Sequence, residues 1–163
     1  MFGYGRNMPL KNTLYGQDFY AWANTQAELL RAGRLVEADI ENIAEEIESM
    51  GRSEKKELAS RLAVLLMHLL KWQFQPGLRS KSWERTIRDQ RLEIDDHLAD
   101  NPSLKPKIPE ALLQAYRRGR SAVVDETKLD ESMFPDSCPW TAEEIMSKGF
   151  LPGDVHFAVG RTI

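Results

Sequence analysis

Apolar side chains recur every three or four positions along most of this chain, which is the spacing of amphipathic helices. The first predicted helix begins after Asp18, a residue type favoured as an N-cap, and ends at Gly33. The second covers residues 36 to 50 and is closed by Gly51 as a C-cap. Further helices are predicted over residues 53 to 75 with Ser53 as N-cap, from Ser80 or Ser82 to residue 99, from residue 108 to 127, and in a short segment capped by Thr141.

No segment alternates apolar and polar residues for long enough to predict a strand. We therefore predict an all-α fold, a helical bundle of about five main helices with a short C-terminal helix. Residues 1 to 13 lack a period and are expected to form an irregular, flexible N-terminal arm. Residues 14 to 150 are expected to form a single helical domain, and residues 151 to 163 a C-terminal tail.

The third predicted helix carries the widest apolar face, so we expect it to be the central helix of the bundle. His68 interrupts its apolar run, but at 100° per residue His68 lies on the remaining polar strip with Arg61 and Lys71. We therefore expect His68 at the edge of the core. The apolar face itself is formed by Leu58, Leu62, Leu65, Leu69 and Trp72.

Charge and cysteine content narrow the classes of function. The formal net charge of −3 gives no overall attraction to nucleic acid or to an anionic membrane. Cys138 is the only cysteine, so no disulfide can form within the chain. The N-terminus lacks the apolar core of a secretory signal, and the longest apolar run is far shorter than a membrane span. We expect a soluble, cytoplasmic protein that does not enter the membrane.

Five ordered blocks of the sequence together resemble a known bacterial family, the domain-of-unknown-function family twenty-nine. The resemblance covers residues 14 to 145, and it implies an all-helical fold with no assigned activity, substrate or cofactor. Catalytic residues cannot be carried over from it, since none are known for the family. The blocks are LYGQDFYAWA, ENIAEEIESMGRSEKKEL, LLMHLLKWQFQP, RSKSWERTI and FPDSCPW.

A metal or ligand site inside the bundle is one hypothesis. Asp39 and Glu46 are seven residues apart and share one edge of the second predicted helix, and His68 and His97 could join them. However, the helices lack the Glu-x-x-His pattern of di-iron bundles, and Arg61 close to His68 disfavours a cation. The alternative, which we favour, is that these polar groups pair with one another at the edge of the core.

An anion site is a further hypothesis. The segment from residue 71 to 91 has six cationic and two acidic side chains, with tryptophans between them. Such a segment can bind phosphate groups, and with free aromatic rings it can bind single-stranded nucleic acid. Nucleic acid remains the less favoured alternative because the chain is acidic overall. The candidate anion-binding residues are Arg61, Lys71, Arg79, Lys81, Arg85 and Arg88.

The patterns together favour a protein-interaction module, acting through its charged faces or its arm, with a protein partner or a second copy of the chain. The acidic surface of the second predicted helix is most simply a solvated face. A metal-binding, anion-binding or enzymatic role and nucleic-acid binding stand as alternatives. No catalytic residue or cofactor is predicted, and an enzyme is the less favoured class.

Overall fold

A computed structural model describes residues 10 to 153 of the chain, and over this range it confirms the predicted all-α fold. Three short 3-10 turns connect the later helices, at Pro76–Leu78, Pro102–Lys107 and Glu131–Met133. Of the predicted C-terminal tail, residues 154 to 163 lie outside the described residues. The α-helices are α1 (Leu10–Gln17), α2 (Phe19–Arg31), α3 (Ile40–Phe74), α4 (Lys81–Asp100), α5 (Ile108–Thr127) and α6 (Ala142–Met146).

Three predicted N-caps are confirmed, at Asp18, Ser80 and Thr141, and each acts through a side-chain hydrogen bond within its own first turn. Asp18 accepts a hydrogen bond from the Ala21 amide at the start of α2, and Ser80 does the same for Trp83 at the start of α4. Thr141 forms a full capping box at α6. Each cap satisfies an amide that the helix itself leaves unpaired.

The predicted break at Gly51 and the N-cap at Ser53 are wrong, because α3 runs through both positions without interruption. A glycine C-cap needs a left-handed backbone, and among the described glycines only Gly33 has a positive φ, of 70°. Gly51 costs helix propensity, but ion pairs support the helix across it. Arg52, directly after the glycine, pairs with Glu45 at 2.6 Å and with Glu48 at 3.8 Å, both of which precede it.

Two helix starts also differ from the prediction. α3 begins at Ile40 and not at residue 36, since a turn occupies the intervening residues. Residues 10 to 13, predicted as part of the arm, belong to α1, whose eight residues are too few to show a clear period. The rest of the predicted arm, residues 1 to 9, lies outside the described residues.

The chain divides into two compact units, Met1–Arg52 and Ser53–Ile163. In the first unit α1 packs against α2, and an aromatic cluster forms from Tyr15, Phe19 and Trp22. Trp22 is 3% exposed and is the main buried side chain of this unit. The expectation of one single domain over residues 14 to 150 stays a prediction.

The core of the second unit is built on α3, so the prediction of a central helix is confirmed. The small residues of α5 allow a close approach: a Cβ atom on Gly119 would stand 2.9 Å from the Ala63 carbonyl oxygen. Over the described part of the chain, no helix combines the length and the apolar character needed to cross a bilayer. The buried leucines of α3 are Leu58, Leu62, Leu65, Leu66, Leu69 and Leu70.

Candidate functional site

The two carboxylates of the predicted metal set have structural partners in the first unit. The Asp39 carboxylate accepts hydrogen bonds from the Trp22 indole at 3.1 Å and from the Asn42 amide at 2.8 Å. Glu46 accepts a hydrogen bond of 2.5 Å from the Tyr15 hydroxyl, which raises the pKa of that phenol. Both carboxylates therefore hold aromatic side chains in place.

The two histidines of the set bond to backbone carbonyls. His68 Nδ1 donates to the Val64 carbonyl at 2.8 Å, and burial lowers the pKa of His68. His97 Nε2 donates to the Glu54 carbonyl at 2.9 Å. Over residues 10 to 153 the structure forms no group of three His, Cys, Asp or Glu side chains suited to a metal ion.

Two of the candidate anion-binding residues are neutralised by carboxylates. Arg61 pairs with Glu57 at 2.7 Å and with Glu93 at 3.0 Å. Lys71 was expected on a polar strip, but it is only 5% exposed and pairs with Glu126 at 2.5 Å. Neither side chain offers an uncompensated charge to a ligand.

Two tryptophan rings of the basic segment from residue 71 to 91 are in contact with cationic side chains of the same segment. The Lys71 ammonium lies 4.5 Å from the centroid of the Trp83 ring, and the Arg79 guanidinium lies 5.2 Å from that of Trp72. Arg79 also donates to the Trp72 carbonyl at 2.8 Å. Base stacking needs an open ring face, so this arrangement disfavours the nucleic-acid alternative.

The remaining three candidates, Lys81, Arg85 and Arg88, converge on one cleft of about 580 Å³. Arg91 from the next turn of α4 and Lys148 from the segment after α6 line the same cleft. Its full lining is Lys81, Ser82, Glu84, Arg85, Ile87, Arg88, Arg91, Lys148, Gly149 and Leu151. We call this the basic cleft.

Arg91 is the anchor of the basic cleft. It is 2% exposed, and its Nε and Nη2 donate to the backbone carbonyls of Ile145 at 2.7 Å and Phe150 at 2.8 Å. Burial lowers its pKa, yet a guanidinium remains charged at any physiological pH. Two neutral carbonyls therefore hold a buried positive charge that no carboxylate of the described residues neutralises.

Sequence reasoning counted Arg91 among the basic residues but did not select it, and it missed Lys148 entirely. A signal for Arg91 existed, because it lies four residues after Ile87 and three before Ile94, on the apolar stripe of α4. A charge on a buried stripe must be held by other groups. Lys148 gave no such signal, since only the fold brings its segment beside α4.

A second cleft, on α5, provides a comparison. It contains Arg117 and Arg120, but also Asp125, Glu131 and Asp136. Arg120 is paired with Glu131, and with Asp136 at 3.1 Å, so its charge is already compensated. The basic cleft differs because five cationic side chains face a single carboxylate there.

Cys138 does not have the surroundings of a nucleophile. Its thiol is half-buried and donates to the Trp140 carbonyl at 3.5 Å. Burial raises the pKa of the Cys138 thiol, which reduces the fraction of reactive thiolate. The residue is a packing element between the turn and the core.

A second surface feature lies in the first unit. Ile40, Ile47 and Met50 project from one side of α3 and are 52%, 63% and 68% exposed. We call these three residues the apolar strip. An acidic face flanks the strip, because Glu41 and Glu48 directly follow Ile40 and Ile47 and so lie about 100° around the helix from them. Glu45 lies further around α3, where Arg52 pairs with it at 2.6 Å and with Glu48 at 3.8 Å.

Comparison with models of known protein families gives a match over most of the chain. A family model described as "Domain of unknown function DUF29" covers residues 14 to 151. No curated protein and no solved structure matches the chain. The resemblance predicted from the five sequence blocks is thereby confirmed.

Proposed function

The chain belongs to the DUF29 family, whose description assigns no activity, and we propose that it is a protein-interaction module. Its N-terminal unit binds an amphipathic helix of a partner protein through the apolar strip. The partner helix carries basic residues along one flank. No catalytic role is part of this proposal, and a cytoplasmic location remains a prediction.

One observation carries the proposal: exposed large apolar side chains concentrate in the first unit. Of thirteen such side chains among the described residues, eight lie between Phe19 and Met50. The second unit is more than twice as long over the described residues and has five. Contiguous apolar surface of this kind is typical of interaction sites.

The spacing of the apolar strip suits a helix as the bound element. Ile40 and Ile47 are seven residues apart and Met50 follows after three, so the strip runs along two to three turns of one side of α3. An amphipathic helix laid along it would bury its own apolar side chains at the same intervals. Covering the remaining exposed area of the three side chains is worth about 3–5 kcal/mol.

Charge selects the kind of partner. The acidic face beside the apolar strip favours a helix with lysine or arginine on its flank. A second copy of the chain bound through the same surface would place two acidic faces together in a symmetric contact. A basic partner therefore fits better than self-association.

Two synthetic peptides test the proposal by fluorescence anisotropy on the full chain. Both are amphipathic helices with leucines spaced for the apolar strip, one flanked by lysines and the other by glutamates. We expect binding of the lysine peptide, and a loss of more than about tenfold in affinity when Ile47→Ser and Met50→Ser are combined. Added salt should weaken binding.

The matched control is Leu113→Ser on α5, since Leu113 is 73% exposed but lies outside the first unit. We expect that variant to bind the lysine peptide like the unmodified chain. Equal binding of both peptides, or equal loss in the Leu113→Ser variant, would overturn the proposal. Sedimentation analysis showing a dimer that the Ile47→Ser and Met50→Ser changes dissociate would overturn it in favour of self-association.

A further inference from the structure

We propose that the basic cleft binds a compact polyanion of the diphosphate class. The proposal is independent of the apolar strip, because every lining residue belongs to the second unit. Five cationic side chains and one carboxylate, Glu84, leave four net positive charges around one cavity. An anion with several negative charges balances this excess better than a singly charged one.

The cations of α4 are placed together by helix geometry. Lys81, Arg85 and Arg88 are separated by four and then three residues, so their side chains emerge on one side of the helix. Within the described chain the Lys81 and Arg85 side chains make no hydrogen bond or ion pair, and the Arg88 side chain has only a 3.3 Å contact to the exposed Asp89. These donors are available to a ligand.

Arg91 gives the basic cleft a fixed donor. Its two carbonyl contacts use Nε and Nη2, and no hydrogen bond to Nη1 is found within the described residues. The guanidinium is thus held rigidly while one nitrogen remains to donate. Rigid arginine forks are well suited to phosphate oxygens, since little side-chain entropy is lost on binding.

Lys148 adds a cation to the basic cleft from a second segment of the chain. It is exposed and comes from the segment after α6, whose backbone is tied to α4 through the Arg91 contacts to Ile145 and Phe150. A ligand between Arg85 and Lys148 would therefore be contacted from two segments. Such convergence distinguishes a binding cleft from a row of solvated lysines on one helix.

Size limits the ligand to a small molecule. The cavity of about 580 Å³ lies within the range of small-molecule sites. Single-stranded nucleic acid would require open aromatic rings, and Trp72 and Trp83 are covered by Arg79 and Lys71. The shared chemistry is thus a diphosphate group, either free or attached to a nucleoside.

Isothermal titration of the full chain with inorganic pyrophosphate tests the site at constant ionic strength. We expect pyrophosphate to bind at least about tenfold more tightly than orthophosphate. Arg85→Gln and Lys148→Gln should each weaken pyrophosphate binding by roughly 1.5-fold to fivefold, the range for exposed charge pairs. Both side chains are exposed, so both variants should fold normally, as circular dichroism would verify.

Two controls remove one charge of the same type elsewhere in the second unit. Arg117→Gln matches Arg85→Gln, and Lys56→Gln matches Lys148→Gln; both residues are exposed and outside the basic cleft. We expect both controls to bind pyrophosphate normally. An equal loss in the controls would show a general charge effect and overturn the proposal.

Other ligands separate the remaining outcomes. Tighter binding of ADP than of pyrophosphate, lost in the Arg85→Gln variant, would support the site and assign a nucleoside diphosphate to it. Absence of binding at millimolar pyrophosphate would overturn the proposal. Tight binding of a thymidine oligonucleotide without binding of pyrophosphate would also overturn it, in favour of nucleic acid.

Discussion

Gly119 is the position where the packing of α3 against α5 can be tested most directly. An added Cβ atom would stand 2.9 Å from the Ala63 carbonyl oxygen, 3.3 Å from the Met67 amide nitrogen and 3.4 Å from the Leu66 Cβ. The first two neighbours are backbone atoms held in the hydrogen-bond ladder of α3. Neither can rotate away, so the two helices must separate by a few tenths of an ångström.

The substitution Gly119→Ala therefore combines two opposing effects. Alanine favours a helix by about 0.8–1 kcal/mol over glycine. Overpacking a tight contact costs about 1–3 kcal/mol, and a backbone obstacle places the cost in the upper part of that range. We expect a net loss of about 1–2 kcal/mol in the free energy of unfolding.

Gly51→Ala is the matched control, because Gly51 is also inside a helix but has no atom within 4 Å of the added Cβ. This variant should gain the full helix preference, about 0.8–1 kcal/mol. Urea unfolding followed by circular dichroism measures both variants. In thermal unfolding the change in Tm should be about 2–4 °C per kcal/mol, with opposite signs for the two substitutions.

Either result can contradict the structure. Stabilisation by Gly119→Ala would show that α3 and α5 do not approach as closely as described. Destabilisation by Gly51→Ala would indicate a left-handed glycine, and hence two separate helices in place of the continuous α3.

Three further predictions concern α3 and its partners. Leu65→Ala should lower the free energy of unfolding by about 2–5 kcal/mol, measured by urea unfolding, because Leu65 is fully buried. Val64→Ala should lower it far less, because Val64 is 37% exposed. Equal losses would contradict the assigned core face. Glu126→Gln should lower the free energy of unfolding by about 1–3 kcal/mol, because it leaves the buried Lys71 ammonium without its counter-charge. The loss is limited because Glu126 itself is half-exposed. No change in Tm would show that the ion pair is not formed. Burial lowers the pKa of His68, so the unfolded chain binds more protons than the folded chain; the stabilisation present above about pH 6.5 is therefore lost as pH falls through the folded-state pKa. His68→Leu should reduce this loss of stability, measured by urea titrations from about pH 7 to pH 5. An unchanged pH profile would refute the pKa shift.

The helix starts that were predicted correctly are those fixed by residues adjacent in sequence. Asp18, Ser80 and Thr141 each cap through a hydrogen bond to an amide three residues later, so the whole interaction lies within one turn. Gly51 misled the prediction because glycine is common both at helix ends and, at modest cost, inside long helices. Only the backbone angle separates these cases.

The candidate site was predictable in part. Lys81, Arg85 and Arg88 were recognised because they belong to a segment, residues 71 to 91, with six cationic and two acidic side chains. Arg61 and Lys71 belonged to the same prediction, yet each is neutralised, Lys71 by Glu126, which lies 55 residues along the chain. Sequence spacing does not reveal which carboxylate will reach a given cation.

The sequence by itself determined the all-α class, the central position of residues 58 to 72 and the local caps, because these follow from helical periodicity and from hydrogen bonds within one turn. The tertiary structure alone decided that Lys148 lines the same basic cleft as Arg85 and that Arg91 is buried against two carbonyls. It also left the apolar strip of α3 exposed, although its periodicity is that of a core face. Local patterns specify which residues share a side of a helix, whereas only the fold specifies what that side meets.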